Sequence, residues 1–417
     1  MRVGRVFFPW RSEFGSIHAA AIAAGGNEMK RSTNRILTTH AGSLPRPDDL
    51  IAAYRNGENQ QAFAPHLRKA VADVVRKQVE TGIDVVNDGE FGKPVTNEVD
   101  YGAWAMYMYE RLGGYELREV QSVETLVNSF MGQSKDRKDF AAFYAANPVG
   151  GDRARRIPAF PVNTGPIKYT GQALVQRDID NFKAALGAVR AEDAFLSAVF
   201  TGVQVGQSEY YRDTQEQAIA IAEAMREEYS AIVNAGLNVQ IDDPILVNVY
   251  ELSYSMSGDL ERFRKWAKTH VELVNHALEG IPEDRVRYHL CWGSWVGPHS
   301  TDLPLREVLD LLLEVKACQY SFEAANAQHE HEWKIWKDVE LPEGRALVPG
   351  VVTHKTNVLE HPELVADRIV RYANMVGREN VVAGTDCGMG GRIHPQLAWA
   401  KLKALSEGAA LASEQLW

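Results

Sequence analysis

From about residue 35 the chain alternates short apolar runs with longer stretches whose apolar positions fall three and four apart. The short runs read as buried strands and the longer ones as amphipathic helices. Strand–helix alternation predicts a parallel sheet with crossover helices. The clearest unit opens at Asp213, which with Glu216 makes a capping-box-like start. Ala218, Ile221, Ala222, Met225, Tyr229 and Ile232 follow at helical spacing, and Gly236 stands where a left-handed cap is wanted. A strand then runs from Leu237 into Asp242-Asp243-Pro244. The same grammar recurs twice. A helix from His66 to Thr81 stops at Gly82, and Ile83 to Asn87 leads into Asp88-Gly89-Glu90. Pro362 opens a helix that stops near Gly377, and Val381 to Thr385 leads into Asp386-Cys387-Gly388.

The predicted strands are Ile36–Ala41, Ile83–Asp88, Phe195–Thr201, Asn238–Asp242, Arg285–Cys291, Tyr320–Glu323, Leu347–Thr353 and Val381–Asp386. A further run, Phe160–Thr170, contains Asn163-Thr164-Gly165-Pro166, and its Pro and Gly place it outside a central sheet. Eight strands with helices between them predict an α/β fold, a (β/α)8 TIM barrel. The segment from Tyr101 to Arg156 is expected to be a long, irregular insertion after the second strand. An open doubly wound sheet is the alternative, but no Gly-rich dinucleotide fingerprint follows the first strand.

Composition adds exclusions. The 417 residues carry a net charge of −10, which argues against a nucleic-acid partner. No apolar run reaches the ~18 residues a membrane span needs. Residues 1–30 read as an unstructured leader, leaving residues 31–417 as a single barrel and the cytoplasm as the default compartment. Three cysteines, Cys291, Cys318 and Cys387, are too few and too odd for a disulfide framework. A homo-oligomer is compatible with all of this.

His289 and Cys291 are two apart, so on a strand their side chains share one face, with Leu290 on the other. Cys387 ends the last strand and Glu323 ends the strand between. A barrel gathers strand ends at one mouth. Imidazole and thiolate suit Zn2+, which prefers four ligands, and Glu323 is the natural fourth. A bare His-x-Cys is more often a buried core pair; the shared mouth raises the metal reading. Cys318 reads as a packed thiol, and His329-Glu330-His331-Glu332 as a solvated loop or helix start. His354, ending the Leu347–Thr353 strand, faces the mouth and can move a proton near neutral pH. Glu90, Asp242 and Asp243 either bind a cationic amine or cap turns. Trp292, Trp295, Tyr210 and Tyr211 are candidate apolar walls. Two protein thiolates and a carboxylate neutralise the ion, which leaves a bound thiolate nucleophilic and favours alkyl transfer to sulfur over hydrolysis.

Six motifs in order, Thr39-His40-Ala41-Gly42-Ser43-Leu44-Pro45, Asp88-Gly89-Glu90, Gln240-Ile241-Asp242-Asp243-Pro244, His289-Leu290-Cys291, Ser321-Phe322-Glu323 and Asp386-Cys387-Gly388, resemble the catalytic barrel of cobalamin-independent methionine synthase and its single-barrel relatives. The resemblance runs from about Arg35 to Arg392. It implies zinc on His289, Cys291, Glu323 and Cys387. It also implies a homocysteine carboxylate at Gly42-Ser43, its amino group at Glu90 and Asp242, and His354 as the catalytic histidine. The expected partners are a small-molecule thiol and a methyl or alkyl donor. The expected activity is a zinc-dependent S-methyltransferase acting on a thiol such as homocysteine. The alternative is an epoxyalkane:coenzyme M type transferase. The chain departs from the synthases in lacking their N-terminal barrel, in His40-Ala41 before the Gly-Ser pair, and in Trp292-Gly293-Ser294-Trp295 after the cysteine.

Overall fold

The computed structural model describes residues 28–56, 60–93, 103–119, 134–147, 159–200 and 207–417. Eight barrel strands follow in chain order: β1 (Leu37–Thr38), β2 (Val85–Val86), β3 (Asp193–Val199), β4 (Asn238–Asp243), β5 (Val286–Leu290), β6 (Gln319–Phe322), β7 (Ala346–Val352) and β8 (Val382–Thr385). They lie side by side in the order β1-β8-β7-β6-β5-β4-β3-β2, every neighbouring pair parallel. The remaining seam, between β1 and β2, is closed partly by side chains. Asp84 N–H donates to Thr38 O (3.1 Å), Thr38 N–H to Asp84 Oδ2 (2.9 Å), and the Thr39 hydroxyl to Val85 O (3.0 Å). The eight predicted strands are the eight observed, and the fold is a (β/α)8 barrel.

Local signals act as predicted. The helix Thr214–Asn234 is capped by Asp213, whose carboxylate accepts from Gln215 N–H, and its predicted apolar stripe is buried. Gly82, Gly236 and Gly377 end their helices with φ near +90°, a conformation that costs glycine little. The helix before β2 starts earlier than expected, at Gln60, and carries Pro65 inside it, about one turn and a half from its start, where the proline removes one i→i−4 hydrogen bond.

The strand Ala159–Tyr169 lies outside the barrel, antiparallel to Leu112–Glu119 and parallel to Gln207–Ser208. The insertion is more ordered than expected: Tyr101–Arg156 holds helices at Ala103–Arg111, Lys135–Asp139 and Ala141–Ala146. It is fastened to the mouth, since Asp136 accepts from Ser300 N–H (2.9 Å), and braced within itself, since Asp136 also accepts from Tyr144 O–H (2.5 Å).

The leader expected at 1–30 falls outside the described residues up to residue 27. Its last residues close the barrel's opposite end. Met29 is buried and donates its N–H to Asp284 O (3.0 Å), while Lys30 N–H donates to Asp193 Oδ2 (2.8 Å). Cys318 packs there, 3.9 Å from Met29 Sδ, and burial pushes its thiol up to about 12. None of the described helices is long and apolar enough to cross a membrane.

Candidate metal centre and active site

Strand register assembles the site. Asp242 on β4 pairs with His289 on β5, and His289 pairs with Ser321 on β6. Register partners in a parallel sheet point to the same face, so one row inside the mouth carries a carboxylate, an imidazole and a hydroxyl. Cys291 follows β5 and Cys387 follows β8. The ligand atoms of His289, Cys291 and Cys387 all lie within 4.8 Å of one another, and all three residues are buried. This cluster can hold a metal ion.

The chemistry of the three residues fits a soft cation. Ser321 Oγ lies 2.9 Å from His289 Nδ1. With Nδ1 engaged, the buried Nε2 is the nitrogen left, and it has no hydrogen-bond partner among the described residues. Such a partner on the far nitrogen is the usual support of a metal-binding imidazole. The sulfurs of Cys291 and Cys387 are 3.6 Å apart, within hydrogen-bond reach of each other. The contact with Cys291 holds Cys387 well below the usual thiol range, while the same contact and burial push Cys291 up. Gly293 N–H reaches Cys291 Sγ and the Ser294 hydroxyl reaches Cys387 Sγ, each at 3.3 Å.

Glu323 is not drawn into this cluster. Its Oε1 accepts from Trp292 N–H (3.2 Å) and its Oε2 from Asn326 Nδ2 (2.8 Å), and Lys355 Nζ makes an ion pair with Oε2 at 3.0 Å. A fully buried carboxylate needs a cation, and Lys355 supplies it. Asn326 also donates to Asp386 (3.1 Å), which in turn accepts the N–H groups of Ala324 and Ala325, tying the β6 and β8 ends together.

His354 is buried beside Cys387, and neither ring nitrogen has a hydrogen-bond partner among the described residues. Burial pushes its pKa down to about 3. It is therefore a neutral imidazole at pH 7, with both a donor and an acceptor free.

Gly42 and Ser43 fit tightly between strand ends. A Cβ on Gly42 would stand 2.2 Å from Glu90 Oε1, and one on Gly388 would stand 2.0 Å from Ser43 Oγ. Gly42 has φ +129°, so close approach and backbone both require glycine. Met389 and Gly390 donate their N–H groups to Ser43 O (2.8 and 3.0 Å), which fixes the turn beside Cys387.

The model of the family described as "Cobalamin-independent synthase, Catalytic domain" matches residues 166–410, more than half of the chain. The protein belongs to this family. Among related proteins, the methionine synthase of Sulfolobus acidocaldarius is 25% identical over 387 residues, covering 91% of this chain and 93% of that one. The 2-hydroxypropyl-CoM lyase of Xanthobacter autotrophicus is 24% identical over 423 residues, covering 91% and 96%. A solved B12-independent methionine synthase from Shewanella sp. W3-18-1, in complex with selenomethionine, has the same fold with a TM-score of 0.67 at 19% identity, covering 92% of this chain and 99% of that one.

This member of the cobalamin-independent synthase family fills its acid pair from within. Lys93 Nζ lies 3.2 Å from Glu90 Oε2 and 3.7 Å from Asp242 Oδ2. Burial pushes the Asp242 carboxyl up, to about 7, against the pull of Lys93. Asp243, by contrast, serves the scaffold: it accepts from Tyr288 O–H (2.6 Å) and from the N–H groups of Ile245 and Leu246, and contacts His270 Nε2 at 2.6 Å. Sequence reasoning missed Lys93, Lys355 and Ser321. Lys93 stands three residues after Glu90, and Ser321 stands opposite His289 once the strands are aligned; Lys355 carries no comparable signal.

The helix start expected at His329–Glu332 is found, a 3-10 helix over Glu330–Lys337 with His329 at its N-cap, but only His331 of the four is exposed; His329 and Glu332 are buried rather than solvated. His329 is 1% exposed, packs 4.4 Å from the Trp292 ring, and lies 2.9 Å from Glu332 Oε2 and 3.2 Å from Asp302 Oδ2. Burial lowers its pKa, but those two carboxylates outweigh burial and lift it to about 9. Mutual ion pairing is what lets these charges go inside. Trp292 is core, with its indole N–H on Leu303 O (2.8 Å), Trp295 stacks on His299, and Tyr210 is half exposed against Tyr211.

Proposed function

We propose that the protein is a zinc-dependent thiol alkyltransferase whose leading activity is methyl transfer to the sulfur of a small thiol, as in the methionine synthases it resembles. The observation that carries this reading is the buried His289–Cys291–Cys387 cluster at the barrel mouth. Zinc, when bound there, keeps an acceptor sulfur deprotonated and nucleophilic. In this reading residues 31–417 act as one zinc-containing barrel, and its free thiols suit a reducing cytoplasm.

The chain's own residues divide the remaining work. Ser321 holds His289 in the tautomer that presents Nε2. Glu323, now paired with Lys355, is the residue that would join His289, Cys291 and Cys387 in holding the metal. The Gly42-Ser43 turn receives the anionic end of the acceptor. The acceptor's S–C bond forms as the bond between methyl and donor breaks, and the thiol proton leaves to the donor side. His354, neutral and with both nitrogens free, passes that proton.

A second reading is favoured by one observation, the occupation of the Glu90–Asp242 pair by Lys93, since an amino-acid acceptor needs that pair open. Here sulfur attacks an epoxide carbon, the C–O bond breaks, and the alkoxide takes a proton through His354.

The test is zinc content followed by zinc-edge X-ray absorption with homocysteine, coenzyme M and glutathione added in turn. One bound zinc that gains a sulfur neighbour with one of them is expected. Zinc that gains none with any thiol, or chelation that unfolds the barrel, overturns the reading in favour of a structural metal. Consumption of a methylated folate or of an epoxide by the thiol-loaded enzyme then separates the two reactions.

A further inference from the structure

Lys93 is a buried cation for which the chemistry above has no task. Its side chain is 7% exposed, its ammonium touches Glu90 and Asp242, and the face of the Tyr107 ring lies 4.9 Å away. Glu90 and Asp242 are the two acids that would receive the α-ammonium of an amino-acid thiol. Both border the acceptor's place. Glu90 closes on Gly42, Ser43 lies against Gly388 next to Cys387, and Asp242 is the register partner of His289. An amino acid entering there meets a cation already seated between the same carboxylates. Two ammonium groups in one buried acid pair repel, and a displaced Lys93 leaves its charge without a partner.

We propose that Lys93 is a specificity-determining residue that takes the place of a substrate ammonium, so that the acceptor is a small thiol with an anionic group and no α-amino group. This rests on the thiol-activation reading of the preceding section. The acceptor's anionic end still reaches the Gly42-Ser43 turn, and Lys93 adds a favourable charge beside it. The lysine thus rejects the amino acid and attracts its deaminated counterpart.

The experiment compares two thiols that differ only in the amino group, homocysteine and 4-sulfanylbutanoic acid. Each is titrated into the zinc-loaded full chain, wild type, Lys93→Met and Lys93→Arg, and the sulfur gained at the zinc edge is followed. The wild type is expected to take the deaminated thiol at a concentration lower by about tenfold. Lys93→Met is expected to shift the preference toward homocysteine by at least that factor, while Lys93→Arg keeps the wild-type order. A merely structural lysine weakens both thiols alike and leaves their ratio unchanged, which overturns the proposal. So does a wild type that prefers homocysteine, a result that leaves thiol activation standing. Zinc that gains sulfur from neither thiol removes the parent reading, and this one with it. Should Lys93→Met not fold, the wild-type ratio decides alone.

Discussion

Replacing Ser321 by alanine tests whether His289 is a supported metal ligand or a core residue. Ser321 is 2% exposed and its hydroxyl, 2.9 Å from His289 Nδ1, is the group that leaves Nε2 facing the thiols. Ser321→Ala removes one oxygen and leaves a buried ring N–H unpaired. A lost hydrogen bond costs about 0.5–1.5 kcal/mol, and a stranded polar group about 1–3 kcal/mol. Loss of such support typically weakens metal affinity by about 10–100-fold, which is about 1.4–2.8 kcal/mol, so the two routes agree. The assay is competition for zinc against a chromophoric chelator, with Ser321→Thr as a control that keeps the hydroxyl. An alanine variant that binds zinc within about twofold of wild type would refute the reasoning, because an imidazole that needs no orientation is not held as the geometry implies.

Three other outcomes are expected. Lys355→Met leaves Glu323 buried without its cation, so the metal-free protein should unfold more easily, by about 3–5 kcal/mol, while zinc binding tightens; equal zinc affinity would show that Lys355 and the metal do not compete for Glu323. Gly42→Ala puts a Cβ 2.2 Å from Glu90 Oε1 and should weaken thiol binding by about 100-fold, with zinc content and circular dichroism unchanged; wild-type thiol binding would remove the turn from the site. Burial, with Asp178 adding to it, raises the Asp88 carboxyl from 3.8 to about 7. The folded state therefore holds the proton more tightly, and stability falls as pH rises through that window. Thermal unfolding of Asp88→Asn, which keeps an oxygen for Glu90 N–H, should lose this slope; parallel curves would place the proton elsewhere.

Much of the molecule follows from short-range pattern. The stripe from Ala218 to Ile232, the caps at Asp213 and Gly236, and the runs ending in Asp88, Asp242, Cys291 and Cys387 are periodicities of two and 3.6 along the chain. Those periodicities fix which residues stand at strand ends, and a closed barrel gathers strand ends by construction. That is why His289, Cys291 and Cys387 were legible as one cluster. Partner choice was not, because it depends on long-range approach. Glu323 met Lys355 from the end of β7, Asp242 met Lys93 from the end of β2, and His329 found Asp302 across two mouth loops. A buried charge takes the counter-charge that packing brings within reach, and no spacing along the chain announces it. The sequence thus determined the barrel and the three metal-seeking side chains at its mouth, while tertiary packing decided which of the surrounding acids are already neutralised.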